Sequence, residues 1–212
     1  MIRAKALPAS RREQREQTRR RILGAAVECF ARSGFDAASL ADIAHQAGVK
    51  KALVQYHFST KEQLWRDAAR HLWDERNDFL RRALAAHCES EPTEKLRRGF
   101  TALVEFTREN PQWLWFMFHE SAADGERLQW LIDHCLQEDF PMGEQFVRQF
   151  QQQGLIRDGS PLHLLHLISG ALTYNLLVAP LTLRATGTDL SGEESIAQQV
   201  SLLQTLLAPQ KV

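Results

Sequence analysis

Cysteine, glycine and proline are all scarce in this chain, and each scarcity excludes a class of protein. Cys29, Cys88 and Cys135 are the only cysteines among 212 residues and form no CxxC pair, so neither a disulfide framework nor a zinc ribbon is available, and a reducing compartment is expected. Eleven glycines and seven prolines are too few for a collagen-like or low-complexity chain. With 44% hydrophobic and 25% charged residues the chain is too apolar to stay disordered. No segment keeps the two-residue alternation of a half-buried strand. A Walker A loop, a GxGxxG turn, an HExxH pair and a GxSxG elbow are also missing. The opening residues, MIRAKALPASRREQREQTRR, carry charge but no apolar stretch like that of a signal peptide, so a cytoplasmic location is expected.

An excess of one charge sign is missing too, with 26 Lys and Arg against 26 Asp and Glu. The balance hides a separation. Residues 1–72 hold 14 basic against 7 acidic side chains and the remainder 12 against 19, so the two parts carry +7 and −7. A basic third on an acidic body suits a protein that must approach phosphates with one end only. Arg11, Arg12, Arg15, Arg19, Arg20 and Arg21 could equally form a solvated helix end or face an anionic membrane surface.

What is abundant is helical periodicity, which predicts an all-α chain of about nine helices. Ser10 with Glu13 makes a capping box, after which Ile22, Leu23, Ala26, Val27 and Phe30 form one apolar stripe ending at Ser33-Gly34. Ser39 caps a short helix with Leu40, Ile43 and Ala44, and Ala47-Gly48-Val49 separates it from another short helix, Lys50 to His57. Thr60 with Gln63, or Ser59 with Glu62, opens a long helix to about His87. A fifth helix carries Leu96, Phe100, Leu103 and Thr107, and a sixth runs from Trp113 to Ser121. Asp124 is expected to cap a seventh that Pro141 kinks or splits before Gly154. Ser160 with Pro161 starts an eighth that reaches about Leu183, and a Ser191–Glu194 box starts a ninth. The expected division is residues 1–60 for an N-terminal arm and helix-turn-helix, 61–87 for a connecting helix, and 88–212 for a ligand-binding and dimerisation domain.

Two short helices joined by a glycine turn are the arrangement that lays a second helix in the DNA major groove. Lys50, Lys51 and Ala52 begin that second helix, and Gln55, Tyr56 and His57 offer donors and flat surfaces to bases or phosphates. The run Ser39-Leu40-Ala41-Asp42-Ile43-Ala44, then Ala47-Gly48-Val49, then Lys51 to Glu62 resembles the DNA-binding signature of the TetR (tetracycline-repressor-like) family over roughly residues 17–65. The resemblance implies backbone contacts from Tyr56, His57 and Lys61, a capping Ser39 that touches phosphate, a small-molecule effector and a homodimer. Gln55 stands where the family usually has Tyr, and could read adenine instead.

Beyond residue 72 the local pattern must serve. The uncharged stretch Gly159–Leu183 is long enough to cross a bilayer, but its His, Ser, Thr and Asn residues, its Pro180 and its lack of flanking basic clusters argue instead for a helix covered on both sides. The simplest second cover is another copy, which predicts a four-helix dimer contact through Leu165, Gly170, Leu172, Leu176, Val200, Leu203 and Leu207. Aromatic and soft side chains concentrate further upstream, and Phe100, Trp113, Phe116, Met117, Glu120, Trp130, His134, His166 and Tyr174 are the candidates for an apolar or aromatic ligand, although a filled core explains the aromatics as well. No cofactor, metal or catalytic residue is expected. His163 and His166 have no third ligand set by spacing, and His134 and Cys135 lie about 100° apart on a helix. The sequence reading is a DNA-binding regulator, most simply a repressor released by its ligand. The alternative is a ligand-independent activator or architectural protein with a filled core.

Overall fold

A computed structural model describes residues 10–86 and 89–209. The expected N-terminal arm up to residue 9, the expected helix end at His87, Cys88 and residues 210–212 lie outside the described residues. The described residues form ten α-helices and one π segment: α1 (Arg11–Ala37), α2 (Leu40–Gln46), α3 (Lys51–His57), α4 (Lys61–Ala85), α5 (Pro92–Glu109), α6 (Gln112–Ala123), α7 (Glu126–Leu131), the π segment (Ile132–Leu136), α8 (Asp139–Gln152), α9 (Pro161–Thr186) and α10 (Glu193–Leu207). Among the described residues there is no strand.

The N-terminal caps account for the first elements. Ser10 accepts from the Glu13 amide at 3.2 Å while the Glu13 carboxylate accepts from the Ser10 amide at 2.6 Å, closing the expected box. Gly34 interrupts α1 with φ 72 and ψ 174, a conformation that costs any residue with a Cβ, so the regular helix stops at Ser33 and one turn follows. Ser39 and Thr60 cap α2 and α4 through the amides of Asp42 and Gln63, each such cap contributing about 1 kcal/mol.

Three expected starts and joints differ. Asp124 does not open a helix but closes α6 in the left-handed region at φ 48, and Gly125 precedes α7. Asp and Asn tolerate that region better than most residues, so the side chain that reads as an N-cap also fits a C-terminal turn. The seventh helix is split, as its proline implies, but upstream of it: α7 passes into the π segment, and α8 begins afresh at Asp139. Pro141 thereby falls in the first turn of α8, where its missing N–H would have had no helical partner. Before α10, Gly192 takes the capping position and Ser191 instead donates to Asp189.

The buried side chains form two clusters. In the first, Ile22, Phe30, Ile43, Val54, Phe58, Trp65 and Trp73 of α1–α4 pack with Trp113 and Phe116 of α6 and with Leu131 and Leu136. In the second, Leu96, Phe100 and Val104 of α5 pack with α8, α9 and α10. The core of the helix-turn-helix is thus continuous with α6, and the division between the cores does not follow the expected boundary near residue 87.

The last two helices correct the expected dimer contact. Leu172, Val200, Leu203 and Leu207 point into the second core of their own chain. Leu165 and Leu176 also pack on that core, Leu165 where Gly143 lets α8 come close. Only Gly170 of the expected set is exposed. The surface is formed by the neighbouring register, Leu167, Tyr174 and Leu181 on α9 and Leu202 and Leu206 on α10, all more than 60% exposed. By length and composition α9 could cross a membrane, yet only 28% of its most apolar window is buried within the chain.

Candidate nucleic-acid interface

The α2–α3 unit is held from beneath by apolar anchors. Ile43, Ala44, Val54 and Phe58 are buried against Ile22 and Ala26 of α1, which leaves Lys50, Lys51, Ala52, Gln55 and Tyr56 exposed on the opposite side. Because residues 51, 52, 55 and 56 share one helical face, the two short helices present one continuous polar ridge. Tyr56 is 66% exposed, an orientation that a core tyrosine would not have. Its ring meets that of His57 edge-on at 5.4 Å, and the Arg15 guanidinium lies 5.6 Å from its centroid.

Charge around the ridge is divided between structural and free groups. Arg21 donates to the carbonyls of Ala47 at 2.6 Å and Gly48 at 3.2 Å, satisfying the end of α2 and locking the turn at Gly48, whose φ is 63. Arg19 pairs with Asp67 of α4 at 2.7 Å and lies over the Phe58 ring at 5.3 Å. Sequence patterning groups all six N-terminal arginines as one basic face, whereas these two hold α1 to its neighbours. Burial, and then Arg15 and Arg19, hold the His57 imidazole below its ordinary pKa, which favours its neutral form in the free chain.

Ser39 and Lys61 are both engaged. The Ser39 hydroxyl donates to the Asp42 carboxylate at 2.6 Å and accepts from its amide at 3.1 Å. Lys61 Nζ donates to the Asp36 carbonyl at 3.2 Å and lies 4.5 Å from the Phe35 ring centroid. Arg127 of α7 approaches the same ring at 4.1 Å and donates to Glu120 of α6 at 3.0 Å. Glu120 is buried, which pushes its carboxyl above the ordinary value, and Arg127 opposes that shift. His119 Nε2 lies 3.0 Å from the Ala31 carbonyl. The sequence has no signal for this Glu120–Arg127–Phe35–Lys61 chain, because its members come from four separate elements.

The nine ligand candidates are not brought to one place. Trp113 and Phe116 are buried in the first core and Met117 packs on it, while Phe100 is buried in the second. Phe116 contacts Trp65, Trp73 and Phe30 at ring centroid separations of 6.0 to 6.4 Å, so these aromatics fill space instead of lining it. Glu120 is occupied by Arg127. Trp130 is half-buried beneath His134, whose ring stacks on it at 4.6 Å. His166 and Tyr174 are on the surface. One open cleft, of about 410 Å³ between α1 and α6 at Glu28, Arg32, Gln112, Trp115 and His119, holds none of the nine, and another, of about 420 Å³ beside α4 and the π segment, is bordered by His134 alone of them.

Comparison with known proteins places the ridge in a wider set. Residues 22–68 match the model described as "Bacterial regulatory proteins, tetR family". The chain is similar to the HTH-type transcriptional regulator RutR of Escherichia coli, 25% identical over 186 residues, which is 88% of this chain and 86% of the relative. It is also similar to the "Probable acrEF/envCD operon repressor" of Escherichia coli, 24% identical over 162 residues, 72% of this chain and 70% of that one. Among solved structures, HlyIIR, a hemolysin II transcriptional regulator, superposes with a TM-score of 0.68 at 24% identity over 92% of this chain and 99% of its own. At that identity the superposition establishes the fold.

Proposed function

From a chain that belongs to the tetR family of bacterial regulatory proteins and is a DNA-binding transcriptional regulator, not an enzyme, we propose a cytoplasmic homodimeric repressor that a small apolar or aromatic effector releases from its operator. The observation that carries the reading is the exposed face of α3, where Lys51, Ala52, Gln55 and Tyr56 project from a unit anchored by Val54 and Phe58. In this reading α3 lies in the major groove, with Lys50, Lys51, Ala52 and Gln55 at base edges. Tyr56, His57, Lys61 and Ser39 set the register on the backbone. Two copies joined through the exposed faces of α9 and α10 present their α3 helices to half-sites about 34 Å or a multiple apart. An effector that binds one dimer geometry better than the other then shifts the population away from the DNA-competent one. A repressor is favoured because a similar protein is described as an operon repressor.

The alternative, a ligand-independent activator or architectural protein, is favoured by one feature, the aromatic packing around Phe116. Binding-site selection with wild type and Gln55→Ala tests the proposal. Direct readout by Gln55 implies that one base pair of the selected consensus relaxes by about 1–3 kcal/mol in the variant. Identical consensus sequences refute that role, and no selected consensus for the wild type refutes the function.

A further inference from the structure

The cleft between α4 and the break that separates α7 from α8 has a lining unlike the rest of the protein. Trp73, Asp74, Asn77 and Asp78 of α4 face Cys135 of the π segment and Glu138 across a space of about 420 Å³. Three carboxylates line it, Asp74, Asp78 and Glu138, against one arginine, Arg81, which is committed to Asp78 at 2.6 Å. Among the described residues no basic group pairs with Asp74 or Glu138.

Acidity alone would be a solvated surface. One buried group points to an occupant. Trp73, a wall of the cleft, is 1% exposed, and its indole N–H has no acceptor. A buried donor left in that state costs about 1–3 kcal/mol. The Cys135 thiol is acted on by both Asp74 and Asp139, and burial pushes it up to about 12, so it stays a neutral part of the wall. Its backbone is a π turn, a distortion that concentrates where helices serve ligands.

A metal ion does not meet these requirements, since among the described residues no three His, Cys, Asp or Glu side chains converge. An organic cation does, because its charge can be met by carboxylates several ångströms apart. His134, which lines the cleft and stacks on Trp130, adds a flat ring face beside that of Trp73.

We propose that this cleft binds a small protonated amine with an apolar body and a hydroxyl or carbonyl oxygen. The ammonium lies between Asp74 and Glu138, the body lies along the aromatic wall, and the oxygen reaches inward to accept from Trp73 Nε1. This rests on the effector-released regulator proposed above and gives its effector a chemistry, yet it is measured on the DNA-free protein.

Calorimetry at pH 7 with tyramine as the probe tests it, beside 4-ethylphenol, which lacks the amine, and 3-(4-hydroxyphenyl)propionate, which replaces it by an anion. Tyramine is expected to saturate one site per chain, with both analogues at least about tenfold weaker, or about 1.4 kcal/mol. The double variant Asp74→Asn, Glu138→Gln should weaken tyramine by the same factor while keeping the wild-type helical content and operator affinity, since neither residue is near α3. Trp73→Phe should weaken tyramine but not phenethylamine, which has no oxygen. No saturation by about 10 mM tyramine, equal binding of the acid, or unchanged binding by the folded double variant overturns the proposal. Operator binding without amine is scored separately, so failure here leaves the regulator reading standing, and failure there leaves a measured amine site.

Discussion

Leu206→Glu distinguishes the inward and outward registers of α10 in one experiment. Leu206 and Leu202 are 62% and 61% exposed on the single chain, whereas Leu203 is 7% exposed inside the second core. Complete burial of a leucine side chain contributes roughly 1.5–3 kcal/mol, so covering the exposed fraction of each of these two against a partner contributes about 1–2 kcal/mol. In the proposed symmetric dimer both positions occur twice, so the four leucines would supply about 4–8 kcal/mol of the association. Leu206→Glu removes half of that and adds two carboxylates that lose water near the axis. The dimer dissociation constant should therefore rise by at least two orders of magnitude, about 3 kcal/mol. Sedimentation at micromolar concentration should find a monomer with wild-type circular dichroism at low temperature and weakened operator binding. Leu203→Glu should instead act within each chain, burying a charge in the core and lowering the unfolding midpoint before any effect on assembly is resolved. If Leu206→Glu remains dimeric at the wild-type dissociation constant, the α9–α10 face is not the interface, and the exposure of Leu167, Tyr174 and Leu181 needs another cause.

Three further outcomes follow from contacts described above. Lys61→Ala, present twice in the dimer, should reduce the slope of log K against log salt by about two; an unchanged slope in a folded variant, measured by fluorescence anisotropy, removes Lys61 from the phosphate backbone. Arg127→Ala leaves the buried Glu120 without its partner and should cost about 3 kcal/mol in urea unfolding, near the low end for a broken buried pair because the arginine keeps some solvent contact; an unchanged midpoint would mean that the pair carries no net stability. Cys135 should resist alkylation at pH 8, because a thiol pushed up to about 12 from an ordinary 9 has roughly a thousandth of the usual thiolate at that pH, while the same sign predicts recovery of reactivity only in strong base; labelling of Cys135 at the rate of a free thiol, read by peptide mass spectrometry, refutes the upward shift.

Local signals in the sequence were enough for most of the elements and for the exposed face of α3. Ser10–Glu13, Ser39, Thr60 and Ser160–Pro161 all cap where their spacing implies, since a cap depends on residues within one turn. Orientation on α10 was not legible, because the sequence holds apolar residues at 196, 200, 203 and 207 and again at 202 and 206, and helical period alone does not tell a core stripe from a partner stripe. Arg21 failed for a related reason. Nothing nearby in the chain says that its guanidinium reaches the carbonyls of Ala47 and Gly48 instead of a phosphate. Aromatic density around Trp113–Phe118 suggested a ligand wall, but whether such rings enclose a void depends on Trp65, Trp73 and Phe30, which arrive from α1 and α4.

Phe35 gives its ring to two cations that serve different masters. In the proposed reading Lys61 belongs to the surface offered to DNA, whereas Arg127 is tethered through Glu120 to α6. When a phosphate draws Lys61 away from the ring and from the Asp36 carbonyl, the arginine is left as the ring's cation; when α7 shifts, the lysine's resting place changes before any DNA arrives. The exchange runs in both directions with one free energy. An operator bound at one end of the molecule should therefore be detectable as altered amide protection in α7, far from any base pair.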